Sequence, residues 1–333
     1  MVWINFIICA AIVLIAGTKL SKYGDAISEK THISGAWIGF LLLATITSMP
    51  ELVTGISSVA VVEVPDMAIG MVLGSNLFNL AIIAVLDIQS GRTSLIAAAS
   101  SKHMLSGAFC ILIISMAGIG ILVSTEIAEI SVGDFDLFSF LLLASYLIIL
   151  RVIYNSDRKP GIEAGQPERE SIYGNMSLRR TYISFVVATL AIIGSSIWLA
   201  TIGDEIVEET GWEAGFVGNL FLAVISSLPE LTVCMAAIKL GAVDMAIGDI
   251  LGSNMFNTGI IIAACDIAYR SDSIFASTST SLALPALTAI AMTLVVMIGL
   301  RRRSRRKLFV VAGWEAPLLL GLWVAGSYLL FVF

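Results

Sequence analysis

The sequence predicts an all-α, polytopic membrane protein with about ten transmembrane helices in two inverted-topology repeats of five. Hydrophobic residues make up 58% of the 333 residues, and charged residues only 13%. Apolar runs of roughly 20 residues, long enough to cross a bilayer as a helix, recur between short polar breaks. Two polar motifs also occur once in each half of the chain. This composition excludes a soluble protein.

Apolar runs between polar breaks give ten predicted helices. They are residues 2–20, 34–61, 66–86, 103–123, 135–153, 181–202, 214–239, 244–265, 283–300 and 314–333. Because a proline removes a helical hydrogen bond, the second and seventh helices should break near Pro50 and Pro229. We therefore divide the chain into a first five-helix repeat (1–153), a cytoplasmic linker (154–180) and a second, inverted repeat (181–333).

The basic residues orient this arrangement in the membrane. If the linker is cytoplasmic, every Lys and Arg except Arg270 falls on the cytoplasmic side, as the positive-inside rule requires. Both termini are then extracytoplasmic. The run from Arg301 to Lys307 fits a topological anchor better than a nucleic-acid site or a lipid switch, because it follows a predicted helix on that side.

An internal repeat relates the two halves. The repeated blocks are Ser48–Glu51 with Ser227–Glu230 and Gly74–Asn79 with Gly252–Asn257. Since five helices precede the second copy, an odd number, the copies cross the membrane in opposite directions, as in many secondary transporters. Asp66 and Asp244 each open a predicted helix, where we expect them to cap free backbone N–H groups.

The first motif predicts a cation site. Glu51 and Glu230 directly follow the two prolines inside apolar helices, where a carboxylate is costly and is by default functional. Broken helices near the bilayer midplane expose carbonyl oxygens, which with carboxylates and hydroxyls suit Ca²⁺ or Na⁺. The hydroxyls at the breaks are those of Thr47, Ser48, Ser226 and Ser227.

The second motif adds polar groups on neighbouring helices. Ser75 and Asn79 are four residues apart, as are Ser253 and Asn257, so each pair lies on one helix face. These side chains either bind cations or only join helices by hydrogen bonds. The glycines in the same blocks favour close helix packing.

Charge balance favours antiport. Two ionised glutamates left unpaired at the midplane would cost about 5–7 kcal/mol, twice the insertion-scale figure for one. About 5.5 kcal/mol separates a 1:99 from a 99:1 population, so an empty carrier should rarely reorient. One Ca²⁺, two Na⁺ or two protons would neutralise the pair, and transport becomes an exchange of one load for the other.

Other functions remain open at this point. Protons could replace Na⁺ as the coupling ion. A cation channel would show currents without countertransport. Paired carboxylates could also serve an intramembrane protease, although an inverted repeat with serine-rich ligands suits a transporter better than an enzyme.

At these residues the chain resembles the cation/Ca²⁺ exchanger superfamily, and most of all its prokaryotic Na⁺/Ca²⁺ exchanger branch. The two copies of Ser-x-Pro-Glu and of Gly-Ser-Asn-x-x-Asn carry the resemblance. It implies that Glu51 and Glu230 are the principal Ca²⁺ carboxylates and that helices 2–20 and 181–202 slide across a static core. It implies further Ca²⁺ ligands at Ala44, Thr47, Ser48, Ala223, Ser226 and Ser227 and Na⁺ ligands at Ser75, Asn79, Ser253 and Asn257.

The chain departs from the family pattern at a few positions. The family's glycine before the first motif is Ile46 or Ile225 here, and Asn257 in place of an acid argues against K⁺ dependence. A further acid, Asp249, lies one and two turns before Ser253 and Asn257 on the same face. It is either an additional, asymmetric cation or proton ligand or a buried acid hydrogen-bonded to a neighbouring helix.

We expect no cofactor and no structural metal. The four cysteines lie singly in apolar segments without metal-binding spacing. The expected partners are the lipid bilayer and the transported cations, Ca²⁺ with Na⁺ or H⁺, without nucleic acid or an obligatory protein partner. The resemblance implies a prokaryotic cytoplasmic membrane.

Overall fold

A computed structural model describes residues 1–30, 44–90, 94–124, 131–132, 135–157, 177–239, 241–269, 273–302 and 313–333, and these are almost entirely helical. The strands in these ranges are Ser131–Val132 (β1) and Phe135–Asp136 (β2), which pair antiparallel. The predicted all-helical class is therefore confirmed.

The helices are numbered in chain order. They are α1 (Val2–Lys30), α2 (Met49–Ala60), α3 (Pro65–Gln89), α4 (Leu95–Ala98), α5 (His103–Ser124), α6 (Leu137–Asp157), α7 (Leu178–Thr210), α8 (Ala214–Val217), α9 (Ala223–Ser226), α10 (Leu228–Lys239), α11 (Val243–Phe256), α12 (Ile262–Ala268), α13 (Ala283–Arg302) and α14 (Glu315–Val332). Two π-helical turns, Gly218–Leu222 and Asn257–Ile261, connect α8 to α9 and α11 to α12, and Thr280–Leu282 is a 3₁₀ turn.

The described helices make this a multi-pass membrane protein. Seven continuous spans, with α11, its π-helical turn and α12 counted as one, are long and apolar enough to cross a bilayer, and the bent unit from Ala214 to Lys239 makes an eighth when it is counted as one span. A shorter apolar helix covers Leu137–Ile153. The predicted second helix, 34–61, lies partly outside the described residues, which include its portion from 44 onward.

Some helix ends differ from the prediction. The helix expected to end at residue 20 continues to Lys30 as α1, and α7 continues to Thr210. Apolar runs stop at the first charges, whereas backbone hydrogen bonding continues into the interface. The ends of α6 and α7 also extend into the predicted linker, and residues 158–176 lie outside the described part of the chain.

Helices α3 and α11 form the centre of the molecule. Within its apolar span, 89% of α3 is buried, compared with 28% of α1 and 39% of α7. The two central helices meet through amide side chains: Asn76 Nδ2 donates to Thr258 Oγ1 at 2.8 Å, and Asn79 Nδ2 donates to Asn254 Oδ1 at 3.0 Å. These hydrogen bonds between buried side chains fix the crossing.

Four aspartates, here called the crossing aspartates, connect the two halves. Asp66 accepts a hydrogen bond from the backbone N–H of Ser279 at 2.7 Å, and Asp244 accepts one from Ser100 at 2.5 Å. Neither side chain caps its own helix, so the expected capping is corrected. The carboxylates instead bind free N–H groups before a helix of the opposite half.

The other two crossing aspartates, Asp87 and Asp266, lie at the opposite ends of the same central units. Each accepts two backbone N–H groups, one from its own half and one from the other. The donors are Leu95 and Gly313 for Asp87, at 2.6 and 2.7 Å, and Ile274 and Asp136 for Asp266, at 3.1 and 2.9 Å. A buried carboxylate is thus satisfied while it joins the halves.

Helices α1 and α7 pack against each other at the periphery. Cys9 of α1 donates its thiol to the carbonyl of Ser195 in α7, and Thr18 lies 3.3 Å from the hydroxyl of Thr232 in α10. The outer faces of this pair expose large apolar side chains, among them Ile4, Ile7, Ile15, Val186, Val187 and Leu190. Lipid is the environment such faces require.

Candidate cation-binding site

The chain breaks at the same place in both halves. Ser48 has φ −82° and ψ 11°, and Ser227 has φ −89° and ψ 10°, outside helical geometry. The following helix begins one residue later, with its proline in the first turn, where the missing N–H is not needed. In the second half the two helical parts are bent by 43°. Each glutamate therefore stands in the first turn of a new helix.

The two glutamates are held reciprocally. Ser227 Oγ donates to Glu51 Oε1 at 2.6 Å, and Ser48 Oγ donates to Glu230 Oε1 at 3.2 Å. Both carboxyl groups have no exposed surface. Because the serine of each motif binds the carboxylate of the other, the site contains equal contributions from both halves.

Each glutamate keeps one oxygen without a partner. Neither Glu51 Oε2 nor Glu230 Oε2 accepts a hydrogen bond from any described residue. A buried carboxylate oxygen in that condition is costly unless a proton or a cation binds it. The geometry is thus that of a pair of acids able to share a positive charge.

The remaining groups of the first motif point back to their own helices. Thr47 Oγ1 donates to the Ala44 carbonyl at 3.1 Å, and Ser226 Oγ donates to the Ala223 carbonyl at 3.2 Å. Each of these carbonyls also accepts the N–H of the serine at the break. To contact a cation, the hydroxyls would rotate away from these carbonyls.

The second motif behaves differently in the two halves. Ser75 Oγ lies 3.5 Å from Ser226 Oγ, at the break of the other half, and Asn79 is engaged with α11. Ser253 Oγ and both amide atoms of Asn257 are buried and have no partner among the described residues. A role in helix packing alone explains the hydrogen bond that the Asn79 amide donates, but it does not explain the buried, unpartnered atoms of Ser253 and Asn257.

Asp249 lies beside this second group. It is 1% exposed, its Oδ2 accepts the thiol of Cys234 at 3.5 Å, and its Oδ1 has no partner among the described residues. Its repeat counterpart is Met71, whose sulfur accepts the hydroxyl of Ser75 at 3.8 Å and lies 3.8 Å from that of Ser226.

Some polar residues near the site are absent from the sequence interpretation. Asn76, Asn254 and Thr258 form the crossing of the central helices, and the amide of Asn219 is buried without a partner among the described residues. Asparagines inside apolar helices are the available signal. Their spacing alone gives no contact, because the partners are more than 170 residues away.

A π-helical turn begins at Asn257. Asn79 and Asn257 are separated by 178 positions, whereas Asp87 and Asp266 are separated by 179. The second half therefore contains one additional residue between these points, and the turn Asn257–Ile261 absorbs it. Such bulges are common at functional sites.

Comparisons with known proteins agree with this arrangement. The family model described as sodium/calcium exchanger protein matches residues 1–155 and 180–333. The chain is 24% identical over 369 residues to the protein named sodium/calcium exchanger MaX1 of Methanosarcina acetivorans, and the match covers 99% of both chains.

Two solved structures share the fold. One is of the sodium-calcium exchanger NCX_Mj, with a TM-score of 0.62, 17% identity, and coverage of 98% of this chain and 99% of that one. The other is of the H⁺/Ca²⁺ exchanger CAX, with a TM-score of 0.71, 15% identity, and coverage of 99% and 85%. One fold thus occurs in exchangers described with Na⁺ and with H⁺.

Proposed function

Because the chain belongs to the sodium/calcium exchanger protein family, we propose that it is a secondary antiporter that exchanges Ca²⁺ for Na⁺ by alternating access. Membership in a family of exchangers makes it a transporter rather than an enzyme. In our proposal Glu51 and Glu230 bind the two kinds of cation in turn.

The reciprocal pairing of the two glutamates carries this proposal. Each carboxylate receives a hydroxyl from the opposite half and keeps one unpartnered oxygen. A single Ca²⁺ between these oxygens would neutralise both acids. Since an uncompensated carboxylate is costly at this depth, the loaded carrier reorients and the empty one does not.

Further ligands surround the glutamates in our proposal. Ca²⁺ takes about six to eight oxygen ligands, more than two carboxylates provide. The proposed remaining ligands, for Ca²⁺ or for the flanking Na⁺ ions, are Ala44, Thr47, Ser48, Ala223, Ser226, Ser227, Ser75, Asn79, Ser253 and Asn257.

Ten helices in two inverted repeats, 1–153 and 181–333, joined by a cytoplasmic linker, are part of the proposal. The crossing aspartates support it, because Asp66 and Asp244 make equivalent bonds to equivalent serines, and Asp87 and Asp266 each bind an N–H group eight residues further on. The distribution of Lys and Arg supports extracytoplasmic termini in a prokaryotic cytoplasmic membrane.

Na⁺ is the coupling ion we propose. A proton needs one acceptor, whereas the hydroxyl and amide oxygens around the acids form the larger donor set that an alkali cation needs. The name of the MaX1 relative agrees with this choice. The fold similarity to the H⁺/Ca²⁺ exchanger makes proton coupling the alternative to test.

Flux measurements on the full chain in proteoliposomes test the proposal. We expect ⁴⁵Ca²⁺ uptake when Na⁺ is loaded inside and pH is clamped, and none when choline replaces Na⁺. Uptake driven by a pH gradient in the absence of Na⁺ would instead establish the proton-coupled alternative. The variants Glu51→Gln and Glu230→Gln are controls for leakage.

Two outcomes would contradict the proposal, the first by rejecting antiport and the second by rejecting the proposed site. Rapid ⁴⁵Ca²⁺ entry with no cation on the opposite side would identify a channel. Uptake that persists in Glu51→Gln and in Glu230→Gln would remove these acids from the transport site, whichever ion drives the flux.

A further inference from the structure

The candidate site contains three buried carboxylates rather than two. Asp249 interacts electrostatically with both Glu51 and Glu230. Among the described residues, the other titratable group that faces it is the thiol of Cys234 on α10. If all three acids are ionised, one Ca²⁺ leaves one negative charge without compensation.

The unpartnered oxygens near Asp249 lie on one face of α11. Asp249, Ser253 and Asn257 follow one another at intervals of four residues, and all three are buried. Asp249 Oδ1, Ser253 Oγ and Asn257 Oδ1 have no hydrogen-bond partner among the described residues, and neither has Glu230 Oε2. A carboxylate oxygen, a hydroxyl oxygen and an amide oxygen are therefore available to bind a cation.

The first half lacks this arrangement. Met71 occupies the position equivalent to Asp249, and its sulfur accepts the hydroxyl of Ser75 and lies close to that of Ser226. The methyl end of Met71 lies against Gly55, whose repeat counterpart is Cys234. Uncharged methionine and glycine in the first half thus occupy the positions that aspartate and cysteine occupy in the second half.

We propose that Asp249 binds an alkali cation beside the Ca²⁺ held by Glu51 and Glu230, so that the Ca²⁺-loaded carrier also contains one monovalent cation. This inference rests on the proposed function and extends it. The added charge brings the load to three positive charges against three carboxylates, which is the neutral state that crosses the membrane most readily.

The three unpartnered oxygen atoms favour an alkali cation over a proton. A proton on Asp249 would need a single acceptor and would leave Ser253 and Asn257 unsatisfied. An alkali cation would bind the carboxylate, the hydroxyl and the amide oxygen together, and oxygen ligands of this kind suit it.

Exchange of ⁴⁵Ca²⁺ for unlabelled Ca²⁺ across proteoliposomes tests this inference, with equal Na⁺ on both sides and choline as the replacement cation. Low Na⁺ should raise the exchange rate of the wild-type protein by about tenfold, because it neutralises the third acid. High Na⁺ should then lower the rate by displacing Ca²⁺ from the glutamates.

The variant Asp249→Asn should exchange Ca²⁺ without Na⁺ and lose the rising phase, while high Na⁺ still inhibits. Asp244→Asn, on the same helix but outside the site, should keep the rising phase. A wild-type rate that does not rise with Na⁺, or one that is maximal in choline and falls only when pH is raised, would overturn the inference.

These results are separable from failure of the proposed function. If wild-type vesicles exchange no ⁴⁵Ca²⁺ under any condition, or if Glu51→Gln exchanges it normally, the antiport proposal is wrong. If exchange is present and depends on Glu51 but ignores low Na⁺, only the inference about Asp249 is wrong.

Discussion

The two halves of the molecule agree in their framework and differ in their site. In the framework, the helix breaks at Ser48 and Ser227 have the same geometry, and the crossing aspartates form matched hydrogen bonds in both directions. In the site, the first half has Met71 where the second half has Asp249. The first half also continues as a regular α-helix after Asn79, whereas the second half forms a π-helical turn from Asn257.

This difference indicates which features an arrangement of two similar halves needs. Contacts between halves must match, because each half supports the other. The groups that set the charge of the site are free to diverge, since a cation interacts with the sum of its ligands. Equivalent substitutions in the two halves should therefore change the stability equally. Substitutions at Met71 and Asp249 should change the ion dependence unequally.

The largest effect should come from the glutamates themselves. We expect Glu51→Gln and Glu230→Gln each to lower Na⁺-driven ⁴⁵Ca²⁺ uptake by about 100-fold or more, because each removes one of the two carboxylates that we propose hold Ca²⁺. The two losses should be equal within a few-fold. A variant that retains half of the wild-type rate would show that the halves do not contribute equally.

The next largest effect concerns the framework. Asp87→Ala and Asp266→Ala should each lower the free energy of unfolding by about 3 kcal/mol, because each leaves two backbone N–H groups without their charged acceptor. Thermal unfolding in detergent measures this, with the isosteric Asn variants as controls that retain one acceptor. A large loss for one variant only would break the symmetry of the framework.

A smaller loss should follow from crowding the contact between halves. A Cβ atom at Gly74 would overlap the backbone of Asn219, so Gly74→Ala should lower the free energy of unfolding by about 1–3 kcal/mol. Gly194→Ala is the matched control on the exposed face of α7, where nothing lies within 4 Å. That variant should be neutral or slightly stabilising, because alanine favours a helix; equal losses in both would contradict the packing argument.

The smallest effect should distinguish the two serines. The hydrogen bond from Ser227 to Glu51 is 2.6 Å long, and that from Ser48 to Glu230 is 3.2 Å. Ser227→Ala should raise the Ca²⁺ concentration for half-maximal exchange by about tenfold, and Ser48→Ala by only a few-fold, because shorter bonds to a charged group are stronger. A larger effect of Ser48→Ala than of Ser227→Ala would mean that cation binding changes these two hydrogen-bond lengths.

The sequence was sufficient for the class of fold and for the proximity of the two glutamate motifs. Apolar run length fixes a bilayer helix, and a carboxylate after a proline is conspicuous in such a run. The repeat of both motifs then predicts that Glu51 and Glu230 meet, and the structure does bring them to one buried place through the serines.

Other features could not be read from the chain. That Ser48 binds the glutamate of the other motif, not its own, depends on how two distant segments cross. Asp66 and Asp244 carry the signal of a helix cap, yet tertiary contacts offer them better donors in the opposite half. The π-helical turn is visible in sequence only as a change of one in the repeat offset.

The peripheral helices α1 and α7 have a consequence for the lipid. The hydrogen bonds of the crossing aspartates described above go to other segments, and the outer faces of α1 and α7 present isoleucine and valine to the acyl chains. At 29 and 33 residues they are about 43 and 50 Å long, well beyond a hydrocarbon layer of about 30 Å. The apolar stretches of these helices, residues 2–20 and 181–202, are close to the thickness of that layer, and the remaining turns extend into the interface. The thickness of the surrounding membrane should therefore set how much of those turns the lipid covers, and with it how fast the transporter turns over.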